Sequence, residues 1–140
     1  MPETKPRNAS CHCGRVKFTV ELPEELRGAR CNCSICSMKG AVTVYAPIEA
    51  LTIVEGEDAL GCYRFNTGTA AHYFCSNCGI HCFHRTRTDP NTYGINAACL
   101  QGVSPFDFTE VPVADGVRHP SDHGGVRRQF GVLRFERFER

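Results

Sequence analysis

Three tight groups of cysteines constrain this 140-residue chain more than any other feature: Cys11-x-Cys13, Cys31-x-Cys33-x-x-Cys36 and Cys75-x-x-Cys78. Thiols repeated one and two residues apart are spaced as metal ligands. Soft sulfur donors select zinc, copper(I) or iron–sulfur clusters ahead of harder cations. A structural zinc takes four protein ligands, whereas a catalytic zinc typically keeps three and leaves one position open. The groups divide as two plus two plus three, which fits one site of each kind and predicts two zinc ions per chain.

Spacing also suggests how each group grips its ion. Residues i and i+2 of an extended segment share a face, so Cys11 with Cys13, or Cys31 with Cys33, are expected to bind from a strand. Cys75 and Cys78 need a turn instead. Glycine follows at once at Gly14 and Gly79, where it lets the backbone fold tightly beside sulfur. These two groups are read as halves of one structural site, Cys11, Cys13, Cys75 and Cys78. Closing so long a loop costs entropy that rises only logarithmically with length. Structural zinc, at about 10–16 kcal/mol in small metal-folded peptides, outweighs it.

The competing account of abundant cysteine is a disulfide framework, which belongs to secreted domains. The segment Met1–Ser10 is polar, contains proline and has no apolar stretch of the kind a secretion signal carries. A reduced, cytoplasmic setting is expected. No run approaches the roughly 18 apolar residues that span a bilayer, so no membrane partner is expected either. The formal net charge is +1, and the basic residues, including Arg85, Arg87, Arg127, Arg128, Arg134, Arg137 and Arg140, are scattered among acids and turn residues. That pattern gives no nucleic-acid stripe.

Eight prolines and thirteen glycines spread along the chain leave few windows for a helix, and 41% hydrophobic residues suffice for a core. The expectation is a mainly β protein forming one zinc-binding domain over residues 1–140. Val16, Phe18 and Val20 alternate with Arg15, Lys17, Thr19 and Glu21, the period of a half-buried strand. Further strands are expected at Ala41–Ala46, Leu51–Glu55, Gly61–Phe65, His72–Phe74, Ile80–His84 and Thr92–Ala97. A short helix fits Ser34–Lys39. The tail Phe130–Phe138 suits either a helix or a closing strand. Val111–Arg128 reads as a long irregular excursion.

The middle group, Cys31, Cys33 and Cys36, leaves one coordination position for an exchangeable partner. Three anionic thiolates blunt the Lewis acidity of zinc, which favours binding and activation of a visiting thiol over activation of water. The alternative is a closed site completed by Cys62, Cys82, Cys99 or a histidine. Cys82 stands closest in sequence to the third group. Cys62 and Cys99, in apolar strand-like contexts, are read as small buried residues.

The segments Ser10-Cys11-His12-Cys13-Gly14, Cys31-Asn32-Cys33-Ser34-Ile35-Cys36 and Phe74-Cys75-Ser76-Asn77-Cys78-Gly79, with Asn96-Ala97-Ala98-Cys99-Leu100 after them, together resemble the glutathione-dependent formaldehyde-activating enzyme family, which also includes the centromere protein V group. The resemblance spans about residues 8–110, leaving the tail 111–140 outside it. It implies an Mss4-like fold: mainly β, with several small antiparallel sheets stapled by a structural zinc and few short helices. It implies structural ligands at Cys11, Cys13, Cys75 and Cys78, and a second, labile zinc on a catalytic site of Cys31, Cys33 and Cys36. The implied activity joins glutathione to formaldehyde, giving S-hydroxymethylglutathione, and is classed as that of a carbon–sulfur lyase.

Such a reaction takes a small-molecule thiol, glutathione, and an aldehyde as partners. Lys39, Arg64, Arg85 or Arg87 are candidates to meet the carboxylates of glutathione. His12, His72, His84 or water are candidate proton donors. The alternative function is a noncatalytic zinc module that binds glutathione or a protein partner. The run His81-Cys82-Phe83-His84-Arg85-Thr86-Arg87 departs from the founding enzyme and leaves other thiols and electrophiles open.

Overall fold

The computed structural model describes residues 3–118, 124 and 128–139. Within them the chain runs through β1 (Thr4–Ser10), β2 (Lys17–Pro23), β3 (Arg30–Cys31), α1 (Ser34–Lys39), β4 (Thr43–Pro47), β5 (Leu51–Glu55), β6 (Leu60–Tyr63), β7 (Ala71–Cys75), β8 (His81–Arg85), β9 (Thr92–Asn96), β10 (Glu110–Ala114) and β11 (Gln129–Arg134). Three-residue 3₁₀ turns at Ile48–Ala50, Glu57–Ala59, Ala97–Cys99 and Pro105–Asp107 join some of them. The strands form three small sheets, ordered β1-β2-β5, β4-β9-β8-β7-β6 and β11-β10-β3. All pairings are antiparallel except β3 with β10, which run parallel.

Strand β2 shows why the sheets stack. Phe18, Val20 and Leu22 are buried while Lys17 and Glu21 face solvent, so one face of the strand is apolar and must be covered. Phe83 of β8 covers it, its ring meeting Phe18 edge to face at a 5.3 Å centroid distance. Tyr73 of β7 and Tyr93 of β9 pack on Phe83, each at 5.0 Å. Val16, Val44, Ile95 and Leu100 complete the shared core.

The expected strands all form, with ends shifted by a residue or two, and the helix falls on Ser34–Lys39 as expected. The polar opening segment is strand β1, which the sequence reading passed over. Its strand partner is β2, besides an isolated bridge between Ala9 and Leu100, and an edge strand tolerates Pro6 because one side there needs no N–H donor. In the tail, the strand reading prevails over the helical one: β11 pairs with β10 from Glu110↔Arg134 to Ala114↔Gln129. The excursion expected over Val111–Arg128 is therefore ordered at its start, where Val111 is buried. Residues 119–123 and 125–127 of that stretch lie outside the described residues. No helix among the described residues is long and apolar enough to cross a membrane.

Candidate functional site

Four thiols meet where two turns face each other. Cys11 and Cys13 lie in the turn between β1 and β2, so the pair grips from a turn and the expected shared strand face is not used. The Cys11 N–H donates to the Val16 carbonyl at 3.1 Å, and the Val16 N–H donates to Cys11 Sγ at 3.3 Å. Opposite, Cys75 ends β7, with its N–H on the Ile80 carbonyl at 3.0 Å and its carbonyl accepting from the Gly79 N–H at 2.8 Å. Gly14 and Gly79 adopt φ of 80° and 78°, a region costly for residues with a Cβ.

The sulfurs of Cys11 and Cys13 stand 3.6 Å apart, and those of Cys13 and Cys75 stand 3.7 Å apart. All four, with Cys78, lie within 4.8 Å of one another. A tetrahedral zinc with bonds of about 2.3 Å places its sulfurs about 3.8 Å apart. The donor set therefore fits zinc in chemistry and in spacing. Burial pushes the Cys11 thiol up to about 11, while a backbone hydrogen bond from Cys13 holds Cys78 down at about 6.

The second group sits at a strand-to-helix junction. Cys31 ends β3, Cys33 caps α1 with extended backbone, and Cys36 lies within α1. Their three sulfurs also fall within 4.8 Å of one another. Hydrogen bonds from Cys31 and Cys36 hold Cys33 far below the usual thiol range, and hydrogen bonds with Cys31 and Cys33 push Cys36 far above it. Three thiols this close cannot all ionise unless a cation shares their charge, so the trio too fits a soft divalent metal.

Among the described residues, no further Cys, His, Asp or Glu joins the trio. Cys62 is exposed on β6, which corrects the expectation that it is buried. Cys82 and Cys99 are buried, and their thiols donate to the Ile80 carbonyl at 3.5 Å and the His81 carbonyl at 3.6 Å.

Asn32, between two of these thiols, anchors the chain that follows β10. Its Oδ1 accepts from the Gly116 N–H at 2.7 Å and the Val117 N–H at 3.1 Å, and its Nδ2 donates to Asp115 Oδ1 at 3.3 Å. Gly116 is thereby pressed onto the trio: a Cβ there would run into Cys31 Sγ and approach Cys33 Cβ to 2.9 Å. Neither Asn32 nor Gly116 stood out in the sequence as more than a spacer and a loop glycine.

A cavity of about 740 Å³ opens beside the trio. Cys31, Cys33 and Cys36 line it together with Phe65, His72 and His84, and the charged residues Arg87, Asp89, Asp115 and Arg128 line it too. Of the candidate cations, Arg87 borders the cavity, while Arg64, Arg85 and Lys39 are not among its lining residues. Arg64 instead donates to the Gly68 carbonyl at 2.9 Å. Of the candidate proton donors, His72 and His84 border the cavity, whereas His12 is exposed in the turn between Cys11 and Cys13.

His72 and His84 belong to a part-buried polar cluster with Lys39 and His81. Lys39 Nζ sits 3.3 Å from His72 Nδ1 and 3.2 Å from His81 Nε2. The His72 ring stacks on His84 at 5.3 Å and on Phe65 at 5.9 Å. Room for His84 comes from Gly94 opposite it on β9, where a Cβ would collide with the imidazole. Burial, then the Lys39 charge, holds the three histidines low: His72 at about 4, His84 at about 3 and His81 at about 2.

Small stacked sheets, two thiol groups of metal-ligand geometry, and a cavity against one of them define a mainly β protein whose cysteine clusters could hold soft metal ions. Residues 6–110 match the family model described as glutathione-dependent formaldehyde-activating enzyme. The chain belongs to that family. It is similar to a protein of Halomonas elongata (strain ATCC 33173 / DSM 2581 / NBRC 15536 / NCIMB 2198 / 1H9), provisionally named a glutathione-dependent formaldehyde-activating enzyme, with 32% identity over 78 residues covering 49% of this chain and 49% of the relative. The chain thus spans about half the length of that curated relative. It is also similar to the crystal structure of a Rhodobacter sphaeroides protein, at 43% identity and a TM-score of 0.73, over 76% of this chain and 98% of the other.

Proposed function

We propose that this chain is a zinc-dependent enzyme of carbon–sulfur lyase type that makes or breaks thiol–aldehyde adducts, joining glutathione to formaldehyde as S-hydroxymethylglutathione. The reading treats residues 1–140 as one zinc-binding domain with a structural zinc on Cys11, Cys13, Cys75 and Cys78 and a labile one on Cys31, Cys33 and Cys36. Its setting is the reduced cytoplasm, where thiol ligands persist. The observation that carries it is the position of a three-thiol group, with no fourth protein donor among the described residues, on the wall of a cavity of about 740 Å³.

Zinc held by the trio supplies one thing: it keeps a visiting thiol deprotonated. The rest is binding and orientation by the chain. The thiol sulfur forms a bond to the carbonyl carbon, the carbonyl π pair moves to oxygen, and the proton shed by the thiol ends on that oxygen. No electrons are exchanged with a third party. Phe65 and the stacked histidines give the cavity an aromatic lining, and Arg87 and Arg128, which also line it, suit a carboxylate-bearing thiol.

The adduct also forms spontaneously in water, so the test compares rates. Exchange between formaldehyde, glutathione and their adduct is followed by NMR with zinc-loaded wild type and with Cys33→Ala. Wild type should accelerate exchange well beyond the buffer rate and the variant should not. Equal rates in all three would reduce the chain to a noncatalytic zinc module.

A further inference from the structure

The Lys39 ammonium has three donors and no acceptor. Lying 3.3 Å from His72 Nδ1 and 3.2 Å from His81 Nε2, it donates to both, and both ring atoms accept through a lone pair. Burial lowers the Lys39 pKa, and charge on Cys36, Cys33 and Cys31 opposes part of that shift; a divalent cation, if held by the three thiolates, would still leave one negative charge there to balance the ammonium. Each neutral imidazole therefore carries its proton on the other nitrogen: His72 on Nε2 and His81 on Nδ1.

That assignment gives His72 an unusual position. Its ring is 5% exposed and is clamped between Phe65 and His84. Its Nε2 is buried with no hydrogen-bond partner among the described residues, and the residue borders the same cavity as the three thiols. A buried N–H left unpaired costs about 1–3 kcal/mol. Such an atom beside a reaction cavity is accounted for when a ligand completes it.

We propose that His72 is a catalytic hydrogen-bond donor, offering a neutral Nε2–H to the oxygen of the bound aldehyde or hemithioacetal, and that Lys39 is the positioning residue that holds His72 in this tautomer. The proposal deepens the functional reading above and rests on it. As the sulfur–carbon bond forms, the carbonyl π pair moves to oxygen and the Nε2–H stabilises the growing negative charge. The histidine keeps its proton, and the proton released by the thiol reaches the oxygen through water. A neutral donor suits this role because an imidazolium would transfer its proton to a thiolate first.

The test uses the full-length, zinc-loaded protein labelled with ¹⁵N at histidine. Long-range ¹H–¹⁵N spectra, assigned with His72→Gln, should show His72 protonated at Nε2 only. Lys39→Met should release it to a tautomer mixture, and Lys39→Arg, which retains donors, should restore the wild-type pattern. Adding glutathione with formaldehyde should shift the His72 Nε2–H resonance whether or not turnover is fast. In the exchange assay, His72→Phe should lose roughly 10²-fold of the acceleration with zinc content unchanged, and His72→Gln, which keeps an amide donor, should lose less. If His72→Phe does not fold, Lys39→Met against Lys39→Arg carries the same comparison. An Nδ1–H or doubly protonated His72, an Nε2–H resonance unmoved by the adduct, or full acceleration in His72→Phe would each overturn the proposal. A wild type with no acceleration removes the functional reading instead, and the ring spectra still decide the tautomer and its contact with the adduct.

Discussion

Gly116 lies directly on Cys31: its missing side chain is the space that the Cys31 sulfur fills. The trio is therefore shaped by a residue far away in sequence, delivered by Asn32 hydrogen bonds that span 83 to 85 positions. Gly116→Ala must move either this loop or a thiol. We expect metal at the trio to bind about 10–100-fold more weakly, the usual cost of disturbing groups that orient ligands, with the four-thiol group untouched. Chelator competition on the two sites reads this directly, and an unaltered trio affinity would refute the packing account.

Asn32→Ala removes the acceptor of two backbone N–H groups and the donor to Asp115. The Gly116 N–H keeps the Ala114 carbonyl at 3.1 Å, Asp115 Oδ1 keeps the Arg118 N–H and Val117 is open to water, so the loss should cost only the net worth of these bonds, about 0.5–1.5 kcal/mol. Urea unfolding of zinc-loaded protein measures it. A variant as stable as wild type would mean that the Asp115–Val117 turn holds itself.

Cys75→Ala takes a fully buried sulfur out of the four-thiol group. If that group holds structural zinc, with a folding contribution of about 10–16 kcal/mol in small metal-folded peptides, the melting temperature should fall sharply and one metal equivalent should be lost. An unchanged melt would remove the structural role. Cys33→Ala should instead lose the other equivalent and leave the melt near wild type.

Acid sensitivity follows from the histidines. Free imidazole titrates near 6.5, but in the fold His84 does so at about 3 and His72 at about 4. Between those values the unfolded chain binds more protons than the folded one, so stability is complete above about pH 6.5 and falls as pH drops toward 4. Each such histidine contributes up to about 1.4 kcal/mol per pH unit in that window. Thiol-held zinc is also lost in acid, so the informative quantity is a difference: His84→Gln should flatten the dependence of the unfolding midpoint between about pH 6 and 5. Parallel curves for variant and wild type would show that His84 is not held neutral by burial.

Metal lability separates the two thiol groups. With two zinc ions bound, mild chelation or excess glutathione should strip one while the fold survives, because three protein donors release an ion more readily than four. Two ions leaving together would make both groups structural.

Much of the architecture was readable locally. The alternation through Val16, Phe18 and Val20 marked β2, and the short helix Ser34–Lys39 was visible between a cysteine and Gly40. β1 escaped because an edge strand with one buried residue, Ala9, carries almost no periodic signal. β10 escaped, and β11 stayed open between helix and closing strand, for a related reason. β11 is exposed along its whole length, so pairing with β10, not burial of an apolar face, defines it. The turn that presents Cys11 and Cys13 was mistaken for a strand because both conformations bring residues two apart within reach of one ion.

The grouping of thiols and the β character of the chain are written locally, since ligand spacing and strand period are properties of neighbouring residues. Folding alone brings Lys39 to His72 and His81, 33 and 42 positions along the chain, and closes Gly116 over Cys31. Those contacts arise from sheet pairing and core packing, which join side chains by geometry across long loops. No local pattern encodes such a meeting, because each partner taken alone is an ordinary lysine, histidine or loop glycine.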